Sequence, residues 1–406
     1  MKVVFLSNFY PRCRRNFYLS RSKSGLAAAA DAHQYALALG LQELCSDLCI
    51  VNSPSIFPYP THYKDTSIPS EILNENGMTI HNIGFSTVME YQFISRYKKI
   101  YKELKGIVEN TNEIVYIIVY ATNISLLKAA TKIKSSYKNV RLNMIVPDLP
   151  QDMENHKLLA RFIKALRNLY FKSPERYYKY FDSFVLLTDY MKEKIECNND
   201  QYIVSEGIYE ETVTKRISHK ENSNRFVIFY GGMLHKKFGI MNLVEAIRSI
   251  DSPNVQLQLC GYGDCVDSIK KLSQIDNRIQ YLGVVDRDDV LNYQSKASLL
   301  VNPRIPDENP FTRYSFPSKT MEYFASGTPT LLYQLEGIPQ EYYQYCYSLD
   351  SHHTSKADLA HEIQKIMKIP VVERLKMAAD ARNFILKEKN QTKAANHILS
   401  LLIRTI

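Results

Sequence analysis

Short runs of consecutive apolar residues alternate with longer segments of mixed polarity along most of this 406-residue chain. In the first half, Lys2–Ser7 (KVVFLS), Leu48–Val51, Glu113–Tyr120 (EIVYIIVY), Arg141–Val146 and Ser183–Leu187 read as strands. The run at 113–120 is continuous, as in strands buried on both faces. A polar, basic loop fills Asn8–Lys23, after which Ser24 and Gly25 open an Ala-rich helix that runs to about Leu44. From about Asn222 the alternation restarts. Phe226–Tyr230 is a strand, Gly231-Gly232 a turn and Met241–Ile250 a helix; Val255–Cys260 is a strand ending in Gly261-Tyr262-Gly263. Strands at Ile279–Leu282, Ser298–Asn302 and Thr330–Tyr333 follow. Strands alternating with helices predict parallel sheets covered on both faces. Two such runs, joined near the polar segment His219–Asn224, predict an α/β chain of two doubly wound, Rossmann-like domains, 1–215 and 222–387. A last helix, about 388–406, is expected to pack back on the first domain.

Composition narrows the class. At 406 residues the chain exceeds the size at which one hydrophobic core stops growing. With 45% hydrophobic and 23% charged residues it is of ordinary globular make-up, which excludes disordered and fibrous classes. No stretch approaches the roughly 18 uninterrupted apolar residues of a membrane-spanning helix. The N-terminal apolar run is too short for a signal peptide, so a cytoplasmic location is expected. Seven scattered cysteines without paired or zinc-site spacing read as free thiols. The net charge of +9 suits anionic partners.

In open parallel sheets, ligands bind beyond the carboxyl ends of the strands and at helix N-termini. The segment from Asn309 to Pro329 is the strongest candidate. Pro317 suits a first helical position, Ser315 or Phe316 the cap, and Gly327 the C-terminal stop. Free amides at 316–319, with Ser318 and Lys319, would then hold an anion, and Glu322 one turn further in would accept hydrogen bonds from vicinal hydroxyls such as those of a ribose. An ordinary capped helix with a solvated Glu is the other reading.

Tyr314 to Pro329 resembles the nucleotide-sugar motif of glycosyltransferase family 4, whose members have the GT-B fold of two Rossmann-like domains facing a cleft. That motif is a Glu, seven residues, a second Glu, then small residues, Gly and Pro. Glu322-Tyr-Phe-Ala-Ser-Gly-Thr-Pro329 matches its second half. Tyr314 stands where the family has the first Glu, near the donor sugar, so its phenol, or Glu308 or Asp307, would take that role. The wording Tyr-Ser-Phe-Pro-Ser-Lys is similar to the branch found in capsule and exopolysaccharide clusters. Phe229 to Ile240 resembles the family's turn, which includes Gly231 and Gly232 and carries basic residues that neutralise the diphosphate. Lys237, with Lys236 beside it, is the candidate, a solvated loop being the alternative. Gly261-Tyr262-Gly263 resembles the turn next to the nucleobase, and Val284 lies in the following segment that contacts the base. Arg304 closes the next strand; a surface salt bridge is its other reading. In the first half, Gly25 resembles the glycine that approaches the diphosphate. Asp148, in Val-Pro-Asp-Leu-Pro, looks like a residue facing donor or acceptor hydroxyls, although an Asp before a helix also serves as a cap. His33 reads as structural.

The resemblance implies transfer of a sugar from a nucleotide diphosphate, a UDP-sugar in preference to a GDP-sugar, with retention of configuration and without a metal or other cofactor. The catalytic set would be Lys237, Lys236, Arg304, Asp148 and Tyr314. Domain closure would exclude water. A basic amphipathic pattern at 157–180 and a second cluster, Arg96 to Lys105, suit either an anionic membrane surface beside a lipid-linked glycan acceptor or a charged outer face. No nucleic-acid-binding module accompanies the charge. A non-catalytic or chaperone-like member that keeps the fold is the alternative, motivated by Tyr314.

Overall fold

A computed structural model describes residues 1–23, 25–26, 28–120, 123–149, 174–209, 225–306 and 312–404. Of the basic pattern at 157–180, positions 157–173 therefore lie outside the described residues, as do Ser24, Asp307 and Glu308, whereas Pro174–Tyr180 forms a 3₁₀ segment. The chain divides into two compact units, one of Met1–Glu210 with Gln391–Ile406, the other of Glu211–Asn390.

The first unit holds an eight-stranded sheet. Its strands are β1 (Lys2–Ser7), β2 (Leu48–Asn52), β3 (Glu71–Glu75), β4 (Met78–Asn82), β5 (Val115–Tyr120), β6 (Val140–Val146), β7 (Ser183–Leu186) and β8 (Tyr202–Val204). They lie in the order β3-β4-β2-β1-β5-β6-β7-β8. β1 and β5 run side by side at its centre, and every residue of β5 is buried, which is why the sequence there shows no alternation. All pairings are parallel except β3–β4, a hairpin that turns through Asn76 and Gly77, both at positive φ. Helices α1 (Ala28–Leu44), α2 (Met89–Glu109) and α3 (Ile124–Ser136) cover the sheet. The C-terminal helix Gln391–Arg404 belongs to this unit. Its Ala395, Ile398, Leu399, Leu401 and Leu402 share one core with Tyr35, Leu37, Ala38 and Leu41 of α1. The approach is close: a Cβ at Gly40 would stand 2.2 Å from the Gln391 carbonyl oxygen.

The basic loop after β1 is tied down by acids. Asp31, 2% exposed, accepts from the Tyr10 amide at 2.8 Å and from the guanidinium groups of Arg12 and Arg15 at 2.6 and 2.5 Å. Arg14 pairs with Glu71 and Arg21 with Asp65. In the second basic cluster, Arg96 is not on a solvated face. It is 5% exposed, lies 3.7 Å over the Phe85 ring and donates to the Pro54 carbonyl at 2.8 Å; burial lowers its pKa to about 9.

The second unit is built on a wholly parallel six-stranded sheet of β9 (Phe226–Gly231), β10 (Val255–Cys260), β11 (Ile279–Tyr281), β12 (Leu299–Asn302), β13 (Thr330–Tyr333) and β14 (Tyr347–Leu349). The order is β11-β10-β9-β12-β13-β14. The chain winds outward from β9 to β11, then returns to the other side of β9 with β12. The switch point therefore lies between β9 and β12, where open α/β sheets leave a crevice at the carboxyl ends of the strands. Helices α4 (Ile240–Ser249), α5 (Val266–Ile275), α6 (Arg287–Lys296) and α7 (Lys319–Ser326) link these strands, and Lys356–Lys368 and Val371–Glu388 complete the unit.

Candidate functional site

The expected site residues of the second half lie at the carboxyl ends of β9 to β12, on the loops that follow them or in the first turn of α7. The loops after β9 and β10 meet backbone to backbone. Gly232 donates to the Cys260 carbonyl at 2.8 Å and Leu234 to the Tyr262 carbonyl at 2.7 Å, while Gly261 donates to Gly283 at 2.8 Å. Gly261 and Gly263 have φ of +131° and +157°, and a Cβ on either would come within 1.8 and 2.3 Å of the Gly232 and Leu234 carbonyl oxygens. Glycine at both positions is thus explained by close loop packing. At this edge Tyr262 and Val284 are 62% and 70% exposed, an aromatic and an aliphatic face open to a flat ligand.

Two basic residues expected from the first loop are present and exposed. Lys236 and Lys237 sit in a 3₁₀ turn, Lys236–Phe238, that ends at Gly239 with φ +75°. The Lys236 amide donates to Asp264 at 2.9 Å, and His235 lies 3.4 Å from the same carboxylate. The Lys236 amide first, then the Cys265 thiol and the neighbouring His235, hold the Asp264 carboxyl below its usual range. Lys237 and Arg304 share the Phe238 ring, at 5.0 and 5.9 Å from its centroid. Arg304 is 8% exposed and donates to the Ser315 hydroxyl at 3.1 Å, so its guanidinium lies in the interior and not on the surface.

The helix start differs from the sequence expectation in one respect. Ser318 is the cap residue and α7 begins at Lys319, whereas Pro317 stands before the helix, its carbonyl accepting from Thr320 at 2.9 Å. A tight turn at 317–320 replaces a proline in the first helical position. Gly327, φ +71°, closes the helix as expected. Among the described residues no acceptor pairs with the amides of Phe316, Ser318 and Lys319. Phe316 is buried with its ring 5.4 Å from Tyr342, and Tyr314 is also buried.

Lys319 reaches inward beside the end of β9. Its ammonium donates to the Gly231 carbonyl and lies 5.4 Å from the Tyr230 ring centroid. A Cβ on Gly232 would stand 2.2 Å from that nitrogen. Burial lowers its pKa, with the Glu322 charge acting the other way. Glu322, half-buried, accepts through Oε1 from Gln294 Nε2 on α6 at 2.5 Å. No pattern in the sequence points to Gln294, which stands 28 positions upstream. Together these groups place ammonium, guanidinium, unbonded amides and one carboxylate around the crevice at β9 and β12. Such a set can hold a diphosphate at its cationic part and hydroxyls at Glu322.

Two expected residues belong to the first unit. Gly25 has φ +76° and nothing within 4 Å of a Cβ position, so glycine serves the backbone angle there and the space beside it is open. Asp148 is exposed on the loop after β6, and its charge raises the pKa of Tyr120 together with burial. His33 has its Nδ1 3.0 Å from the Tyr120 hydroxyl, and burial pushes its pKa down to about 4. Among the described residues no group of three or more His, Cys, Asp or Glu is placed to hold a metal ion, and no helix is long and apolar enough to cross a membrane.

Residues 212–384 match the family described as glycosyl transferases group 1. No curated protein sequence matches the chain. Among solved structures, sucrose-phosphate synthase from Thermosynechococcus elongatus is similar with a TM-score of 0.64 at 12% identity, over 100% of this chain and 99% of that one. HepE of Anabaena in complex with UDP gives 0.60 at 12%, over 99% and 100%. The lipopolysaccharide outer core galactosyltransferase WaaB gives 0.61 at 11%, over 100% of both chains. At these identities the likeness establishes the fold, which is GT-B; with the match over 212–384 it supports a glycosyltransferase of the GT-B superfamily.

Proposed function

We propose that this chain transfers a sugar from a nucleotide diphosphate sugar, with UDP as the preferred nucleotide, to a glycan or lipid-linked saccharide, as a member of glycosyltransferase family 4 acting in surface polysaccharide synthesis. The observation that carries the reading is the grouping of Lys319, Arg304, Lys237 and the amides of Phe316, Ser318 and Lys319 with Glu322 at the switch point of the second sheet. Similar proteins support the substrate class: one is solved with UDP, and another is a lipopolysaccharide galactosyltransferase.

In this reading Glu322 accepts from the ribose hydroxyls, and Tyr262 and Val284 face the base. Lys237, Lys236, Lys319, Arg304 and the amides surround the diphosphate. The bond between the sugar C1 and the phosphate oxygen breaks as the acceptor oxygen bonds to C1 on the same face, retaining configuration. The acceptor proton passes to the departing phosphate oxygen, whose growing charge the cations stabilise without reorganising. Tyr314 orients a sugar hydroxyl; in the first unit, Asp148 and the open space at Gly25 are the features proposed to meet a hydroxyl-bearing substrate. No cofactor or metal is invoked. The net charge of +9 suits work beside an anionic membrane on its cytoplasmic face.

The test is a thermal-shift panel of UDP-, GDP- and ADP-sugars. A cognate donor at a hundredfold its Kd adds about 2.7 kcal/mol of stability, and Glu322→Ala removes that gain. A full shift in the variant rejects the ribose assignment. The non-catalytic reading has Tyr314 in its favour, because no carboxylate stands there; release of nucleoside diphosphate on mixing donor with acceptor lipid extract separates the two.

A further inference from the structure

The inference rests on the nucleotide reading of the second unit and concerns how Glu322 is held. We propose that Gln294 is the positioning residue for the Glu322 carboxylate, fixing one oxygen so that the other faces the two vicinal hydroxyls of a nucleoside ribose. Gln294 lies in the last turn of α6 with 0% of its surface exposed. Its Nε2 donates to Glu322 Oε1 at 2.5 Å, and its backbone carbonyl accepts from the Thr328 hydroxyl at 2.8 Å, which ties the end of α6 to the segment just past α7. Among the described residues no other donor reaches Glu322.

The chemistry of the partner matters. A carboxylate offers about four acceptor positions. A neutral amide occupies one of them and leaves the charge intact. A Lys or Arg in the same place would form an ion pair that competes with the hydroxyls for the carboxylate. A buried amide on a packed helix also restrains the Glu322 side chain before any ligand arrives, so less rotamer freedom is lost on binding. The Gln294 Oε1 and the Thr320 hydroxyl are buried without a hydrogen-bond partner. Among the described residues the bond to Glu322 is therefore the one hydrogen bond made by this side chain's polar end, and removing it does not disturb a wider hydrogen-bonded network in the core.

The experiment compares whichever of UDP, GDP and ADP binds the native protein most tightly with its 2′,3′-dideoxy counterpart, by calorimetry on the whole chain. Native protein is expected to favour the ribonucleotide by about tenfold or more, the worth of a charged hydrogen bond. Gln294→Met, close in volume but without a donor, is expected to bring that ratio near unity by weakening the ribonucleotide alone. Should Met compromise folding, Gln294→Asn keeps an amide that falls one methylene short, and the same collapse of the ratio is expected. Equal weakening of both nucleotides, or of neither, overturns the proposal, since a purely structural Gln294 cannot distinguish them. If Glu322→Gln keeps the native ratio, the ribose assignment of Glu322 has failed, whatever Gln294 does. A chain that binds none of the three nucleotides overturns both.

Discussion

Gly261 and Gly232 stand so close that a single methyl group on the first would sit 1.8 Å from the carbonyl oxygen of the second. Gly261 also has φ +131°, so an added side chain meets both backbone strain and an oxygen that cannot move aside. Gly261→Ala is expected to cost about 3 kcal/mol in chemical denaturation. Gly283, φ +81° with nothing within 4 Å, is the control: alanine there meets only the backbone angle and costs about 1 kcal/mol. Equal losses at the two positions would show that loop packing plays no part.

Lys319 carries a desolvated charge whose nearest acceptor is a backbone carbonyl. Replacing it by Met regains the desolvation cost while losing that hydrogen bond, so stability should change by no more than about 1 kcal/mol. Affinity for a nucleoside diphosphate is expected to fall about tenfold or more, and affinity for the nucleoside to stay unchanged. Calorimetry with UDP and uridine checks this; a parallel loss for both ligands would remove Lys319 from the diphosphate.

Arg304 is held by Ser315 and sits beside the ring it shares with Lys237. If it stabilises charge on the leaving phosphate, Arg304→Met lowers kcat by about a hundredfold or more and changes the donor KM little. Steady-state transfer to acceptor extract provides the readout. A rise in KM alone would make Arg304 a ground-state binding group.

His33 gives a pH dependence with a defined sign. Burial lowers its folded pKa to about 4, against about 6.5 in an unfolded chain. Between these values the unfolded state binds the extra proton, so stability rises with pH through the window and is lost as pH falls from about 6.5 towards 4. The difference between native protein and His33→Gln isolates this contribution from the carboxylates that titrate nearby. It should grow across that window and flatten below it; a constant difference between pH 7 and 4 would contradict the burial argument.

Much of the fold was legible because central strands bury both faces. Val115–Tyr120 announces itself as an apolar run and Val255–Cys260 as apolar residues alternating with Gln256 and Gln258, and the helices between the strands follow. The hairpin of β3 and β4 was missed although Asn76-Gly77 carries a turn signal, since its strands are half-polar. β8 and β14 are three-residue edge strands with half-buried, mixed positions, and they were not read, although β11 of the same length was. At the site, positions fixed by local chain geometry were readable: the glycines, the helix stop at Gly327 and the lysine turn. Contacts between distant segments were not. Arg96 looked like one of a row of surface cations, yet Phe85 and Pro54 take it inside. The start of α7 shifted by two residues because a tight turn from Pro317 precedes it.

The return of Gln391–Arg404 to the first unit has a consequence for the order of assembly. Five of its apolar residues complete a core whose other members lie before position 210. During synthesis the second unit has all of its residues once position 390 has emerged, whereas the first stays short of one wall until the final helix leaves the ribosome. The earlier-made half is thus the later to finish, and a released chain truncated near residue 390 should expose the α1 surface to proteases while its second half already resists them.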